Sequence, residues 1–193
     1  KYKYYIRNRI MMKQKLRGEK IYLKRSDCRT WVNARADRYS KEAFEYDPGM
    51  PHKSIEEEIN FYEEFVRKNF YLIYGIYKTK SNELLGFIVA FEFMKTNSDI
   101  IEPFGYYPEG GTCETGIGIF RAENFGKGYG SGTYKIFLKM LKDKYNINST
   151  TILTNPDNIR AKRMYLRLGF KDCRIIKEQQ DEFLKMKYDI ISE

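Results

Sequence analysis

The stretch Glu114–Gly132, ETGIGIFRAENFGKGYGSG, decides how this chain folds. Glu114 to Phe120 reads as a short strand. A glycine-packed loop comes next and predicts a helix over Ser131–Tyr145. Gly126, Gly128, Gly130 and Gly132 alternate with Lys127, Tyr129 and Ser131. With no side chains in the way, main-chain N–H groups converge on one point, and the positive end of the helix dipole lies behind them. Such a loop holds phosphate oxygens, so a phosphorylated cofactor is expected. A glycine-rich turn that only caps the helix is the plainer alternative.

Two common phosphate loops do not fit. No lysine followed by Ser or Thr closes this loop, which argues against a P-loop nucleotide triphosphatase. The dinucleotide fingerprint needs a third glycine where Ser131 stands, and it belongs early in a chain. Gly128-Tyr129-Gly130 instead fits a loop with x-x-G-x-G at its centre.

A second motif lies some 25 residues on: Asn155-Pro156-Asp157-Asn158-Ile159-Arg160-Ala161-Lys162-Arg163-Met164-Tyr165-Leu166-Arg167-Leu168-Gly169-Phe170. Together, in this order and at this spacing, the two segments resemble the GCN5-related N-acetyltransferase (GNAT) superfamily. The first resembles its pyrophosphate-binding motif, (Q/R)-x-x-G-x-(G/A). The second resembles its N-x-x-A-x-x-x-Y-x-x-x-G-F helix. Where that motif has Gln or Arg, this chain has Phe125. The resemblance runs from about Leu16 to Tyr188, and Glu114–Phe170 is the part that is specific.

It implies an α/β (α+β) fold: one domain over 16–193, with a central mixed, mostly antiparallel sheet of six to seven strands flanked by about four helices. Residues 1–15 form a basic extension. The implied activity is transfer of an acetyl group from acetyl-CoA to a primary amine by direct attack in a ternary complex, with no metal. Tyr165 is implied as proton donor to the departing thiolate, since a phenol with a pKa near 10 is protonated at neutral pH. A half-buried aromatic on an amphipathic helix is the alternative for this residue. Gly126, Lys127, Gly128, Tyr129, Gly130 and Ser131 are implied as pyrophosphate contacts. Asn155 and Asn158 fall where the family meets the pantetheine arm, although Asn158 also suits a plain helix N-cap. Ile119 and Phe120 lie on the strand whose main chain pairs with pantetheine amides and offers a donor to the thioester oxygen. Lys162, Arg163 and Arg167 either approach the 3′-phosphate end or form a solvated face.

The general base is expected to be Glu114, acting directly or through water, with Glu92 a weaker candidate. Relatives that acetylate protein N-termini carry a glutamate five residues ahead of the asparagine, and that position here is Leu153. A small-molecule amine is therefore favoured over a peptide N-terminus. A non-catalytic acyl-CoA-binding or RNA-binding module is the reading from a different class.

Charge bears on partners. The net charge is +9, yet residues 1–20 hold eight Lys/Arg against one acid, while the remaining chain holds 27 basic and 25 acidic residues. The basicity is an N-terminal arm, suited to RNA or an acidic partner, or else a solvated extension upstream of a start at Met11 or Met12. The globular part argues against nucleic acid as partner, and a homodimer stays open. No apolar stretch reaches a membrane span, and no apolar region after the basic start suggests a secretory signal, so a cytoplasmic enzyme is expected. Cys28, Cys113 and Cys173 are odd in number and show no C-x-x-C spacing, which predicts reduced, packed thiols. The single histidine, His52, argues against a histidine-based metal cage or triad.

Along the chain, Lys20–Lys24 reads as a strand, and Ser26 and Asp27 cap a helix through Asp37. Ser54 with Glu57 forms a capping box before a helix over Ile55–Lys68. Tyr71–Lys78 and Leu84–Met94 read as a hairpin, and Thr96–Thr112 as a long loop. A strand at Thr150–Thr154, the Asn158–Leu168 helix and a hairpin of Cys173–Lys177 with Glu182–Asp189 complete the pattern.

Overall fold

The computed structural model describes residues 15–38, 40–44, 54–68, 71–94, 111–178 and 181–190. Its strands are β1 (Lys15–Arg17), β2 (Ile21–Arg25), β3 (Leu72–Lys78), β4 (Leu84–Met94), β5 (Thr112–Ile119), β6 (Ser149–Thr154), β7 (Lys171–Glu178) and β8 (Asp181–Asp189). They form one sheet in the order β1-β2-β3-β4-β5-β6-β8-β7. Every pairing is antiparallel except that of β5 with β6. The fold class is the expected one, with eight strands instead of six to seven. The added strand, β1, is three residues long, too short to leave a periodic signal, and it begins inside the presumed arm.

The helices among the described residues are α1 (Cys28–Arg38), α2 (Lys41–Phe44), α3 (Ile55–Lys68), α4 (Tyr129–Tyr145) and α5 (Ile159–Leu168), with a 3₁₀ turn at Ala122–Asn124. The short α2 accounts for one helix more than expected. The capping box before α3 is present: Ser54 N–H donates to Glu57 Oε2 at 2.9 Å, and Glu57 N–H donates to Ser54 Oγ at 3.3 Å. Asp27 caps α1 by accepting the Thr30 N–H at 2.7 Å. Residues 96–110 of the loop expected at Thr96–Thr112 lie outside the described residues, as does His52, and Thr112 already belongs to β5.

Alternation along β3 and β4 sorts the core onto two faces. Leu72, Tyr74, Ile76, Ile88 and Ala90 join Tyr134, Phe137, Leu141 and Tyr145 of α4 in one apolar cluster. Tyr71, Ile73, Phe87 and Val89 join Cys28 of α1 in the other, with Trp31 and Tyr62 packed against it. Helices α4 and α5 therefore cover one face, and α1 and α3 the opposite one. Phe137 and Leu141 are fully buried; each such side chain contributes about 1.5–3 kcal/mol by leaving water.

Candidate active site

The sheet opens where its one parallel pairing ends. Phe120 N–H donates to the Leu85 carbonyl at 2.9 Å, and Gly118 and Gly116 lie opposite Phe87 and Val89. Alternation in an antiparallel ladder then turns the main-chain groups of Thr115, Ile117 and Ile119 toward the other edge of β5. That edge faces β6, but the parallel ladder runs only from Thr112–Ser149 to Glu114–Thr151. Beyond it the strands diverge around a cavity of about 830 Å³, bordered by residues 115–119 on one side and by Leu153 and Thr154 on the other. Ile117 and Ile119 thus present main-chain donors and acceptors to the cavity. Phe120 does not: its N–H serves Leu85, its carbonyl accepts from Ser40 N–H at 2.7 Å, and its ring is 1% exposed. Of the two residues expected to offer their main chain, Ile119 lies on the cavity edge and Phe120 does not, because the register puts residue 120 on the β4 side.

The glycine loop enters the same cavity. Gly126 (φ 71°) and Gly128 (φ 82°) occupy the left-handed region, and a Cβ at either would meet nothing within 4 Å. Glycine is needed there for backbone conformation. Gly130 is needed for space, since a Cβ would lie 2.7 Å from Met164 Sδ, where α4 approaches α5. Helix α4 begins at Tyr129, two residues before the expected Ser131, with Gly128 as its N-cap. Its first helical bond is Gly132 N–H to the Gly128 carbonyl at 2.9 Å. The N–H groups of Tyr129, Gly130 and Ser131 precede that bond and have no helical acceptor, and all three residues border the cavity. This cradle suits a diphosphate. Lys127 is exposed and is not part of the cavity wall.

Phe125 borders the cavity, and the Arg160 guanidinium lies 3.7 Å from the centre of its ring. Arg160 escaped the sequence reading; its only signal was an aromatic residue where a polar one was expected, one motif away. Asn158 caps α5, accepting the Ala161 N–H at 3.0 Å, and also borders the cavity. Asn155 turns its Oδ1 to the Asp157 N–H at 2.8 Å and stays outside the wall, so its side chain serves the turn. Of the three expected basic residues, Arg167 borders the cavity; Lys162 and Arg163 do not.

Tyr165 projects from α5 into the sheet side of the cavity and is 4% exposed. Its ring meets those of Tyr134 and Phe170 edge-on, at centroid distances of 5.5 and 5.2 Å. Burial pushes its phenol up to about 12, opposed by a hydrogen bond from Tyr134, so it is protonated at neutral pH. Glu114 is half-buried on β5 and borders the cavity, as does Leu153. The Glu92 side chain lies outside the described residues. Trp31, Tyr62, Tyr71, Phe87 and Phe91 wall the far end. Among the described residues no cluster of His, Cys, Asp or Glu could hold a metal ion. Cys28 and Cys113 are buried free thiols, and burial pushes Cys113 up to about 12.

Residues 22–171 match the model of the acetyltransferase (GNAT) domain. The chain belongs to the GNAT family. It is an acetyl-CoA-dependent N-acetyltransferase. No curated protein matches its sequence. Solved structures of similar fold include an aminoglycoside acetyltransferase, AAC(6′)-Ib, in complex with ribostamycin and coenzyme A (TM-score 0.68, 14% identity, 89% of this chain and 94% of that one). A spermidine N-acetyltransferase from Vibrio cholerae in complex with coenzyme A and spermine is similar at TM-score 0.66 and 15% identity, over 90% and 97% of the two chains. A GNAT-family acetyltransferase from Bacillus anthracis is similar at TM-score 0.63 and 17% identity, over 91% and 98%. At such identities the likeness is one of fold. No described helix of this acetyltransferase is long and apolar enough to cross a membrane.

Proposed function

We propose that this acetyltransferase acetylates a small primary amine, using the gap between β5 and β6 as the seat of the reaction. One observation carries the reading. Main-chain groups of Ile117 and Ile119, the amide end of α4, Tyr165 and Glu114 all border a single cavity.

Acetyl-CoA brings an acyl group already activated as a thioester, so neither a metal nor a covalent enzyme intermediate is required of the protein. The N–H groups of Tyr129, Gly130 and Ser131 hold diphosphate oxygens, and Arg160, laid over Phe125, adds the charge that position 125 lacks. Ile117 and Ile119 hydrogen-bond along the cofactor arm, and an N–H on this edge donates to the thioester oxygen as charge develops there. Asn158 borders the same arm while capping its helix. Glu114 removes a proton from the incoming ammonium group, directly or through water. Tyr165 gives its proton to the leaving sulfur.

The acceptor end supports a small amine. Its rings offer flat apolar and cation–π surfaces to an amine body. Leu153, where a glutamate would serve a peptide N-terminus, brings no carboxylate. Structures of similar fold hold spermine and ribostamycin, both amines.

The test is release of free thiol from acetyl-CoA in the presence of a panel of small amines and of N-terminal peptides. Amine-dependent release with small amines is expected. Release with peptides alone overturns the acceptor assignment, and coenzyme A binding without release under any amine overturns the enzyme reading.

A further inference from the structure

The acceptor end of the cavity is floored by one face of the sheet, and alternation fixes what that face presents. On β5 it carries Glu114, Gly116 and Gly118, set opposite Phe91, Val89 and Phe87 of β4. All six border the cavity. Val89 and Phe87 belong to the apolar cluster under α1, which places the two glycines on that side as well. With the cofactor arm along the β6 edge of β5, this face is left to the acceptor.

Nothing in the fold requires glycine at 116. Its φ lies outside the left-handed region that Gly126, Gly128 and Gly169 occupy. Among the described residues a Cβ there would meet only Val89 Cγ2 within 4 Å, at 3.3 Å, which a shift of a few tenths of an ångström relieves. Glycine inside a strand costs backbone entropy and packs nothing. One that neither turns the chain nor avoids a clash marks close approach by a ligand.

The surroundings say which ligand. Tyr71 stacks on Phe91, with centroids 5.3 Å and planes 13° apart, directly beside Glu114. Trp31 and Tyr62, 4.6 Å apart, also border the cavity. The Arg35 guanidinium lies 5.2 Å from the Trp31 ring centre and 6.0 Å from that of Tyr62, so these two rings already have their cation. What the wall offers an acceptor is stacking, and Glu114 offers one carboxylate for one ammonium group. From Glu114 to Gly116 the strand advances roughly 7 Å, which suits a ring and an ammonium group joined by two carbons.

We propose that the acceptor is an arylalkylamine, a primary amine on a short arm of a flat aromatic ring, and that Gly116 determines this specificity. It rests on the small-amine reading. The ring lies on the bare strand at Gly116 against the Tyr71–Phe91 stack, and the ammonium group reaches Glu114. The nitrogen–carbon bond forms and the carbon–sulfur bond breaks with its electron pair on sulfur. Arylalkylammonium and acetyl-CoA thus give the amide, coenzyme A and one released proton.

The test is thiol release from acetyl-CoA with 2-phenylethylamine, 2-cyclohexylethylamine, ethylamine and spermidine. The kcat/KM for 2-phenylethylamine is expected to exceed that for ethylamine about 30-fold, from burial of the ring. It should exceed that for 2-cyclohexylethylamine, equal in size but puckered, about fivefold, from stacking. Spermidine, with no ring to stack, stays near ethylamine. Gly116→Val should lower kcat/KM for 2-phenylethylamine about 30-fold while the coenzyme A Kd, measured by calorimetry, stays within about twofold. Gly116→Ala, which should lose about threefold, decides the matter if Gly116→Val does not fold. Equal rates with the phenyl and cyclohexyl amines, or spermidine ahead of both, overturn the proposal and leave the small-amine reading standing. So does full 2-phenylethylamine activity in folded Gly116→Val. No release with any small amine brings down that reading and this proposal with it.

Discussion

The face of the sheet under α4 and α5 and the face under α1 and α3 solve different problems with different chemistry. Under α4 the strands carry hydroxyls linked to that helix, Thr150 to Thr115 to Tyr134 of α4, and the glycines that lead into α4 bare the main chain. Under α1 and α3 the surface is rings: Trp31 meets Tyr62 at 4.6 Å, and Tyr71 stacks on Phe91 at 5.3 Å. Arg35 there is buried against Glu58, with its guanidinium 5.2 Å from the centre of the Trp31 ring. Both border the one cavity, the first with polar groups and bare main chain, the second with rings. Changes on the first should therefore move turnover and cofactor affinity, and changes on the second should move stability and amine choice.

The largest expected effect is on the aromatic face. Arg35→Met leaves Glu58 buried without its ion pair, which costs about 3–5 kcal/mol of stability in urea unfolding. Adding Glu58→Leu should return most of that loss, since a matched apolar pair replaces a buried ion pair at little cost. A single substitution that proves neutral would mean that this pair does not organise the face. Next comes Tyr165→Phe, on the hydroxyl face. It should lower kcat about 100-fold, with the KM for acetyl-CoA and the folded structure unchanged. An equal loss of cofactor binding would count against the acid role. Arg160→Ala should raise the KM for acetyl-CoA about tenfold, the worth of one charge-assisted contact. The same penalty with dephospho-coenzyme A thioester assigns the contact to the diphosphate, and a vanished penalty assigns it to the 3′-phosphate.

The smallest effect is a pH dependence. Burial holds the folded Tyr165 phenol near about 12, against an ordinary value of 10.0. Below pH 10 both folded and unfolded forms are protonated, and the full contribution to stability is present. Between pH 10 and 12 the unfolded chain ionises first, so stability falls as pH rises through that window. Tyr165→Phe should lose less stability than the wild type over the same range. Parallel losses would show that the phenol is not buried in solution.

What could be read from the sequence was local. Ser54 with Glu57 announced the start of α3, and the Asn158 cap announced that of α5, because caps need only three or four neighbouring residues. The glycine loop before α4 was legible for the same reason, and Gly126 and Gly128 do adopt left-handed backbone there. Features that need distant strands in register were hidden. Ile119 and Phe120 were both expected to offer their main chain to the cofactor, yet a one-residue alternation turns Phe120 toward β4 and leaves Ile117 and Ile119 on the cavity edge. The start of α4 at Tyr129 was masked by Gly130 and Gly132, which read as loop. Thr115 and Thr150 looked like ordinary strand formers, and nothing in their spacing pointed to Tyr134, on a helix between them in sequence. The pairing of Arg160 with Phe125 likewise exists only once α5 lies beside the loop.

The central claim is a position: amides at the start of α4 hold the cofactor's diphosphate, and the gap between β5 and β6 delivers its sulfur to Tyr165. A crystal structure with coenzyme A tests this most directly. The account predicts diphosphate oxygens on the N–H groups of residues 129–131 and the sulfur roughly 3–3.5 Å from Tyr165 Oη. Coenzyme A seated outside that gap, or with its sulfur turned away from the phenol, would contradict it.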